Sequence, residues 1–382
     1  MKIGIDIRLI GKKRTGDEVV IFNLVREMAR LNSTHEFKLF TDACDKETIK
    51  KITEQLEIGD KSNFEVVSLE TPNRFAWNFW TLPKYLRQNP FDIYHTQYIT
   101  PWFISHSTKI VTIVHDISFN FFPKFIKFSD LFFLKTLIPI SIRRADKIIG
   151  VSRFTADEII NYYKINDYKV DWIYNSISKE FIGSEISKEE LEKVKEKYAL
   201  PEKFILYIGT LQPRKNLPML VEAYARIKNE LGGMKVVIGG NRKAHNYDRR
   251  IDEAIEKHGL GEDVIFPGFI DEKDKPAIFR LASVFAFPSL YEGFGIPPLE
   301  AMSQGVPVIC SNIPSLKEIA DSGALYFDVE SLDDFSKKLY DISMDLSLRK
   351  ELIRAGNERV SFFSWEKSAA KMLAIYESLL QN

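Results

Sequence analysis

The chain has 382 residues, a length typical of two domains, and its 45% of hydrophobic residues is enough to build full cores, which excludes a disordered protein. Lysine plus arginine and aspartate plus glutamate both number 53, so no basic excess indicates a nucleic-acid partner. No apolar run approaches the ~18 residues of a membrane span, and the widely separated Cys44 and Cys310 favour buried free thiols in a reducing compartment, the cytoplasm.

Alternating strand and helix patterns run along most of the chain, which predicts parallel βαβ units. The first strand, residues 3–9, leads into the loop 11–16 and then into a helix with Val20, Leu24 and Met28 on one face. We predict further strands at residues 37–40, 64–67, 93–95, 110–114, 147–151 and 170–173. A second series is predicted at residues 204–208, 235–238, 264–266, 284–287, 306–309 and 324–327.

A charged segment separates the two series and marks a domain boundary. Ser187 and Glu190 have the spacing of a capping box, which predicts the start of a surface helix. We therefore predict one domain at residues 1–178 and another at 179–363, followed by a last helix at 364–382. Because open parallel sheets bind ligands beyond the carboxyl ends of their strands, the predicted site is the cleft between the two domains.

The most informative segment, residues 289–300, places two glutamates eight positions apart around a glycine-rich turn. Gly293 and Gly295 allow backbone to approach a ligand, and the amides that open the next helix suit a phosphate or a sugar hydroxyl. Glu300, inside that helix, suits hydrogen bonds from a ribose diol. The alternative is an ordinary strand–turn–helix connection.

Two further motifs follow predicted strands. Arg214 and Lys215 suit a diphosphate clamp, since arginine offers a planar fork and lysine a mobile charge. The alternative is a solvated charge pair. His115 closes a strand of the first domain and suits the reacting face of the site; the alternative is a structural His–Asp turn in which Asp116 caps the next segment.

Other segments carry weaker indications. The basic loop 11–16, which ends at Gly16, suits either contact with acceptor or phosphates or a plain connection between strand and helix. The histidines lack ligand spacing and no D-x-D triplet occurs, so no metal site is predicted. The aromatic, lysine-containing stretch 119–144 either covers the first domain with core-facing aromatics, the preferred interpretation, or lies on a membrane surface.

Taken together, these motifs resemble those of the family 4 glycosyltransferases, which are retaining enzymes of the GT-B fold. The E-x7-E motif, here Glu292 to Glu300 within residues 292–309, is the most specific match, and residues 209–217, His115-Asp116, residues 145–152 and residues 363–366 support it. The resemblance implies two Rossmann-like, doubly wound α/β domains facing a central cleft, with the last helix packed back on the first domain. The basic loop departs from the Gly-Gly turn of many members.

The resemblance also implies roles for individual residues. Arg214 and Lys215 would hold the donor diphosphate, and Glu292 the donor sugar hydroxyls. Glu300 would hold the ribose, and His115 would line the reacting face. The remaining donor-binding positions implied are Gly293, Phe294, Gly295, Ile296, Ile270 near the base, and Gly16.

The function expected on this basis is metal-independent transfer of a hexose from a nucleotide sugar, with retention of configuration, to a glycan or lipid-linked acceptor. GDP-mannose is the expected donor, by similarity to bacterial mannosyltransferases of surface polysaccharide assembly. No cofactor is expected, and peripheral membrane contact fits a lipid-linked acceptor. A sugar phosphorylase of the same fold and a catalytically silent sugar-nucleotide-binding protein remain alternatives; the E-x7-E motif disfavours a UDP-sugar 2-epimerase.

Overall fold

The structure, a computed structural model, describes residues 1–11, 16–31, 34–183, 186–244 and 246–381, with the backbone alone at Arg74. It divides into two compact units, residues Met1–Asn175 with Ser364–Asn382, and residues Ser176–Phe363. The division lies a few residues before the boundary expected from the sequence, and the last helix belongs to the first unit.

The first unit is built on a seven-stranded parallel sheet. Its strands are β1 (Lys2–Asp6), β2 (Glu36–Thr41), β3 (Phe64–Ser68), β4 (Ile93–Gln97), β5 (Lys109–Val114), β6 (Lys147–Gly150) and β7 (Val170–Trp172). Its helices before the division are α1 (Gly16–Arg30), α2 (Lys46–Gln55), α3 (Arg74–Ala76), α4 (Leu82–Gln88), α5 (Ser118–Phe121), α6 (Phe128–Arg144) and α7 (Arg153–Tyr163), with a π-helical turn at Trp77–Thr81. The strand order is β3-β2-β1-β4-β5-β6-β7, so the direction of winding reverses between β1 and β4.

The second unit repeats this plan with six parallel strands. They are β8 (Phe204–Ile208), β9 (Lys235–Gly239), β10 (Val264–Gly268), β11 (Val284–Phe287), β12 (Val308–Ser311) and β13 (Ala324–Phe327). The helices are α8 (Lys188–Lys197), α9 (Leu217–Ile227), α10 (Arg250–Lys257), α11 (Lys275–Leu281), α12 (Ile296–Ser303), α13 (Pro314–Ala320), α14 (Leu332–Met344) and α15 (Leu346–Val360). The order β10-β9-β8-β11-β12-β13 reverses between β8 and β11.

The periodicity of the sequence places each strand of the described ranges correctly, with small differences at the ends. The first strand is shorter than predicted: it ends at Asp6, because the amide of Ile10 donates to the carbonyl of Ile7 in a turn and Arg8 folds back onto Asp6. The capping box is confirmed, since Ser187 and Glu190 bond to each other's backbone at the start of α8.

The last helix, α16 (Trp365–Gln381), packs against α1 within the first unit. The hydroxyl of Tyr376 is hydrogen-bonded to Nδ1 of His95 in the centre of the sheet. Burial lowers the pKa of His95 from 6.5 to about 3, so this ring is neutral at physiological pH. The contact joins the end of the chain to the core of the first unit.

Two expectations from the sequence were wrong. Residues 119–144 do not turn all their aromatic rings to the core: Phe119, Ile138 and Ile142 are buried, whereas Phe128 and Phe132 are 84% and 61% exposed. Cys310 is a buried free thiol as expected, but Cys44 is exposed.

Among the described helices, none has both the length and the apolar character needed to cross a bilayer.

Candidate active site

The two loops that carry the predicted diphosphate and sugar ligands meet at the reversal point of the second sheet. Arg214 and Lys215 lie in a short 3-10 turn after β8, and Glu292 follows β11. Because β8 and β11 are neighbours, both loops leave the same edge of the sheet. The amide of Leu290 donates to the carbonyl of Arg214 (2.9 Å), which fixes one loop on the other.

Glu292 forms the centre of a buried charge cluster with both cations. Its Oε1 lies 2.5 Å from Nζ of Lys215, and its Oε2 lies 3.3 Å from Nη1 of Arg214, which also donates to the carbonyl of Tyr291. Burial by itself would raise the pKa of Glu292, but the charges of Lys215 and Arg214 outweigh it and hold the pKa below its ordinary value. The carboxylate is therefore ionised at neutral pH, and the cluster keeps one surplus positive charge.

The turn before α12 needs glycine at position 295. Gly295 has a φ of 99°, and a Cβ there would lie 2.6 Å from Cδ2 of Leu316. No side chain caps the helix at this end, but Pro297 and Pro298 occupy its first turn and have no N–H group. The start of α12 therefore offers fewer amide donors than the sequence pattern predicted, and the backbone predicted to bind the donor there is that of Gly293, Phe294, Gly295 and Ile296.

Glu300 is buried within α12, with 8% of its surface exposed. Burial raises its pKa from 4.5 to about 7, an effect that Lys275 opposes and Glu272 reinforces. Nζ of Lys275 is itself 2.7 Å from Oε1 of Glu272. Glu300 therefore keeps its proton to a higher pH than an ordinary glutamate, and a ligand that donates hydrogen bonds would favour the ionised form.

The loop after β10, which carries Ile270, is held by two residues that sequence reasoning missed. The hydroxyl of Tyr198 accepts from the amide of Asp271 (3.1 Å) and donates to Oδ2 of Asp274 (2.9 Å). Nζ of Lys197 lies 2.6 Å from a carboxylate oxygen of each aspartate. No local signal reveals this clamp, because its partners are more than 70 positions apart in sequence.

His115 follows β5 in the first unit and contacts two other residues that the sequence did not single out. Its Nε2 lies 2.5 Å from Oε1 of Gln97, the last residue of β4, and its Nδ1 lies 3.6 Å from Oδ1 of Asp17, next to Gly16 at the start of α1. Asp116 accepts from the amide (2.9 Å) and hydroxyl (2.6 Å) of Ser118. Asp116 therefore caps the next segment, as expected of a structural His–Asp turn, while the His115 ring belongs to a polar group with Gln97 and Asp17.

Two further predictions concern the basic loop and metal binding. Residues 12–15 of the basic loop lie outside the described residues. Gly16, the loop residue predicted to bind the donor, is described, and it is exposed. Within the described ranges, no three His, Cys, Asp or Glu side chains lie close enough together to hold a metal ion.

Comparison with known proteins gives two family models that together span most of the chain. The model described as glycosyl transferases group 1 matches residues 188–359, and the model described as glycosyltransferase family 4 matches residues 14–181. The first model thus covers the Arg214–Glu292 site, and the second covers His115.

Relatives with similar sequences are named as mannosyltransferases. The chain is 33% identical over 240 residues to the serotype-specific mannosyltransferase WbdA of Escherichia coli, a match that covers 63% of this chain and 29% of that protein. It is 27% identical over 373 residues to O-antigen chain mannosyltransferase B of Escherichia coli, which covers 93% of this chain and 94% of the relative. The chain thus spans less than a third of the first relative.

Solved glycosyltransferase structures share the fold. A glycosyltransferase from Rickettsia africae ESF-5 superposes with a TM-score of 0.75 at 20% identity, covering 100% of this chain and 99% of that one. Anabaena Alr3699/HepE, in complex with UDP and glucose, gives 0.74 at 16% identity, covering 99% and 100%. The two parallel sheets are therefore those of the GT-B fold.

Proposed function

The chain belongs to the family 4 glycosyltransferases, and from that premise we propose that it transfers a hexose from a nucleotide sugar to a glycan or lipid-linked acceptor, without a metal ion and with retention of anomeric configuration. The cluster of Arg214, Lys215 and Glu292 is the observation that carries the proposal. It combines an ionised, buried carboxylate with a surplus positive charge at the reversal point of a parallel sheet, where ligands of such sheets bind.

The charges of the cluster suit the two parts of a nucleotide sugar. A carboxylate that stays ionised accepts hydrogen bonds from sugar hydroxyls, and it has no proton of its own to donate. The guanidinium and ammonium groups suit the diphosphate, whose negative charge grows as the sugar leaves. Arg214 and Lys215 would neutralise that charge, so a metal ion would not be needed for this purpose.

The transfer step proposed for this site needs no covalent intermediate on the protein. The acceptor hydroxyl attacks the anomeric carbon from the face that the diphosphate leaves. The bond between that carbon and the acceptor oxygen forms while the bond to the phosphate oxygen breaks, and the departing oxygen takes the acceptor proton. Retention follows because both bonds lie on the same face. His115 would line the reacting face and would contact the sugar through its carbonyl or its ring.

GDP-mannose is our proposed donor, and a glycan of surface polysaccharide assembly our proposed acceptor. The support is the names of the relatives, which include an O-antigen chain mannosyltransferase that matches nearly the whole chain. Glu300 would accept hydrogen bonds from the ribose diol, and the backbone near Ile270, fixed by Tyr198, would contact the base.

Peripheral membrane contact from the cytoplasmic side belongs to the same proposal. Phe128 and Phe132 expose their rings on α6, and Lys124, Lys127 and Lys135 lie close by in sequence. Apolar rings flanked by cations suit an anionic lipid surface. Co-flotation of the protein with anionic vesicles, but not with neutral ones, would support this part, and failure to float with either would remove it.

A thermal-shift panel with GDP, UDP, ADP and their sugar conjugates, with and without EDTA, tests the donor proposal. A ligand of the folded state at a hundredfold excess over its dissociation constant adds ~2.7 kcal/mol of stability. We expect a shift with GDP and GDP-mannose that EDTA does not reduce. A shift that EDTA removes would contradict metal independence, and no nucleotide response with phosphate-dependent sugar release would favour the phosphorylase.

A further inference from the structure

A cavity of about 530 Å³ lies wholly within the first unit, and none of the residues proposed to bind the donor lines it. Asp6, at the end of β1, and Gln97, at the end of β4, both line it. It therefore occupies the reversal point of the first sheet, the position that the donor cluster occupies in the second. Its volume falls within the ~300–1,000 Å³ of small-molecule sites.

Most of the charged residues on the described wall of the cavity are acidic. Asp6, Asp17, Asp42 and Asp130 line it, against the single described cation Arg8. Arg8 is already paired with Asp6, since Nε lies 3.0 Å from Oδ1 and Nη2 lies 2.7 Å from Oδ2. Three carboxylates remain in excess of that pair, so the described wall disfavours a phosphate or diphosphate by like-charge repulsion.

Aromatic rings form the outer part of the same wall. Phe75 on α3 and Phe133 on α6 both line the cavity, with ring centroids 5.2 Å apart at 47°, and each is partly exposed. Asp130 lies one turn before Phe133 on α6, and no hydrogen bond or ion pair joins its carboxylate to another described side chain. Ring faces attract the weakly positive C–H groups of a pyranose, while carboxylates accept from its hydroxyls.

The cavity adjoins the polar group around His115. Gln97 and Asp17 line the cavity and are also the two residues that approach the His115 ring, at 2.5 and 3.6 Å. A sugar held against Phe133 and Asp130 would therefore extend toward the residue assigned to the reacting face. These two shared residues connect the cavity to the chemistry proposed for the acceptor.

We propose that this cavity binds the terminal, uncharged hexose of the acceptor glycan, and that its acidic wall selects such an end over a sugar attached directly to a diphosphate. The inference rests on the proposed transferase function and deepens it by naming the acceptor class. Asp130 accepts from sugar hydroxyls, Phe75 and Phe133 contact the C–H face, and Gln97 and Asp17 orient the end of the chain beside His115.

Direct binding of two soluble probes, measured by calorimetry without any nucleotide, tests this proposal. The neutral probe is methyl α-mannobioside, and the charged probe is N-acetylglucosaminyl diphosphate on a short prenyl chain. We expect the neutral probe to bind at least tenfold more tightly. Asp130→Asn and Phe133→Ala should each weaken it at least tenfold, whereas the matched controls Asp157→Asn and Phe103→Ala, exposed in the same unit and outside the cavity lining, should change it less than twofold.

Tighter binding of the diphosphate probe would overturn the proposal, and so would neutral binding that Asp130→Asn and Phe133→Ala leave unchanged. A Lys12→Ala/Lys13→Ala/Arg14→Ala variant that abolishes tight diphosphate binding would identify the basic loop as its cause and would also count against the proposal. The nucleotide thermal shift, recorded on every variant, separates the two hypotheses. Glycoside binding without any nucleotide response would contradict the donor proposal alone; transfer that is insensitive to the cavity variants would contradict the acceptor proposal alone.

Discussion

Glu292→Gln is the change that separates the structural and functional roles of the buried charge cluster. The amide keeps the shape of the side chain but leaves Lys215 and Arg214, whose side chains are 11% and 18% exposed, without their anion. Loss of one partner of a buried ion pair costs ~3–5 kcal/mol, and the residual exposure of the cations favours the lower end, about 3 kcal/mol. For a unit of this size the melting temperature should fall by about 6–12 °C.

The same change should affect transfer and nucleotide binding in opposite ways. Transfer should fall by at least ~10²-fold, the usual cost of removing one positioned polar group from a reacting site. The dissociation constant for the nucleoside diphosphate should not rise, because the cluster gains a net positive charge. Calorimetry with GDP and a radiolabelled transfer assay measure the two effects on one preparation.

A double variant, Lys215→Met/Glu292→Gln, supplies the control for the stability part. It removes one charge of each sign, so Arg214 alone keeps the surplus positive charge that the wild-type cluster has. Its melting temperature should return part of the way to the wild-type value, because the close Lys215–Glu292 pair is removed whole and only Arg214 loses its carboxylate, while transfer stays lost. If transfer returns together with stability, or if Glu292→Gln loses nucleotide binding and transfer equally, Glu292 is structural and the assignment to the donor sugar is wrong.

Three further changes test other parts of the site. The folded protein keeps a proton on Glu300 between pH 4.5 and about 7 that the unfolded chain has lost, so wild-type stability falls over this range. In urea unfolding, the free energy of unfolding of Glu300→Gln minus that of wild type should rise by about 3 kcal/mol from pH 4 to pH 8, because only wild type loses stability over this range. Tyr198→Phe should cost ~1–3 kcal/mol of stability and raise KM for the donor with kcat nearly unchanged, as steady-state kinetics would show. Gly295→Ala should cost at least ~1–3 kcal/mol in the same unfolding assay, from left-handed backbone strain and the clash with Leu316.

Matched controls decide each of these expectations. Glu256→Gln, at an exposed position of α10, should show no comparable pH trend; the same trend in both variants would mean that Glu300 is not its source. An unchanged donor KM in Tyr198→Phe would show that the loop after β10 does not contact the donor. Gly233→Ala shares a positive φ but has open space around the new methyl, so equal losses at Gly233 and Gly295 would mean that the Leu316 contact adds nothing.

The strands and the main motifs were accessible from the sequence because they depend on local patterns. Apolar periodicity located the thirteen strands of the described residues, and the spacing of Glu292 and Glu300 marked the glycine-rich turn between them as a candidate binding loop. The predicted strand ends were less accurate than the strand positions. The strand β1 ends at Asp6 because Arg8 folds back and forms an ion pair with Asp6, and a period-two pattern does not predict that contact.

Contacts between distant segments were beyond the reach of such patterns. Nothing local pairs Tyr198 with Asp271, or brings Gln97 and Asp17 to His115. The exposed rings of Phe128 and Phe132 were also misread, since aromatic residues in a helix indicate a core only when another element covers them.

The sequence by itself determined the order of the strands and helices along the chain, the parallel α/β class and the identity of the charged residues beyond the strand ends, because those depend on near neighbours and residue type. The tertiary structure decided the charge states and the shapes of the sites, because burial and opposing charges act through space. Glu292 and Glu300 are chemically identical, yet the two cations beside Glu292 keep its pKa low, whereas burial raises that of Glu300 to about 7. The cavity beside His115 likewise exists because β1, β4, α3 and α6, far apart in the chain, surround one space at the reversal point of the first sheet.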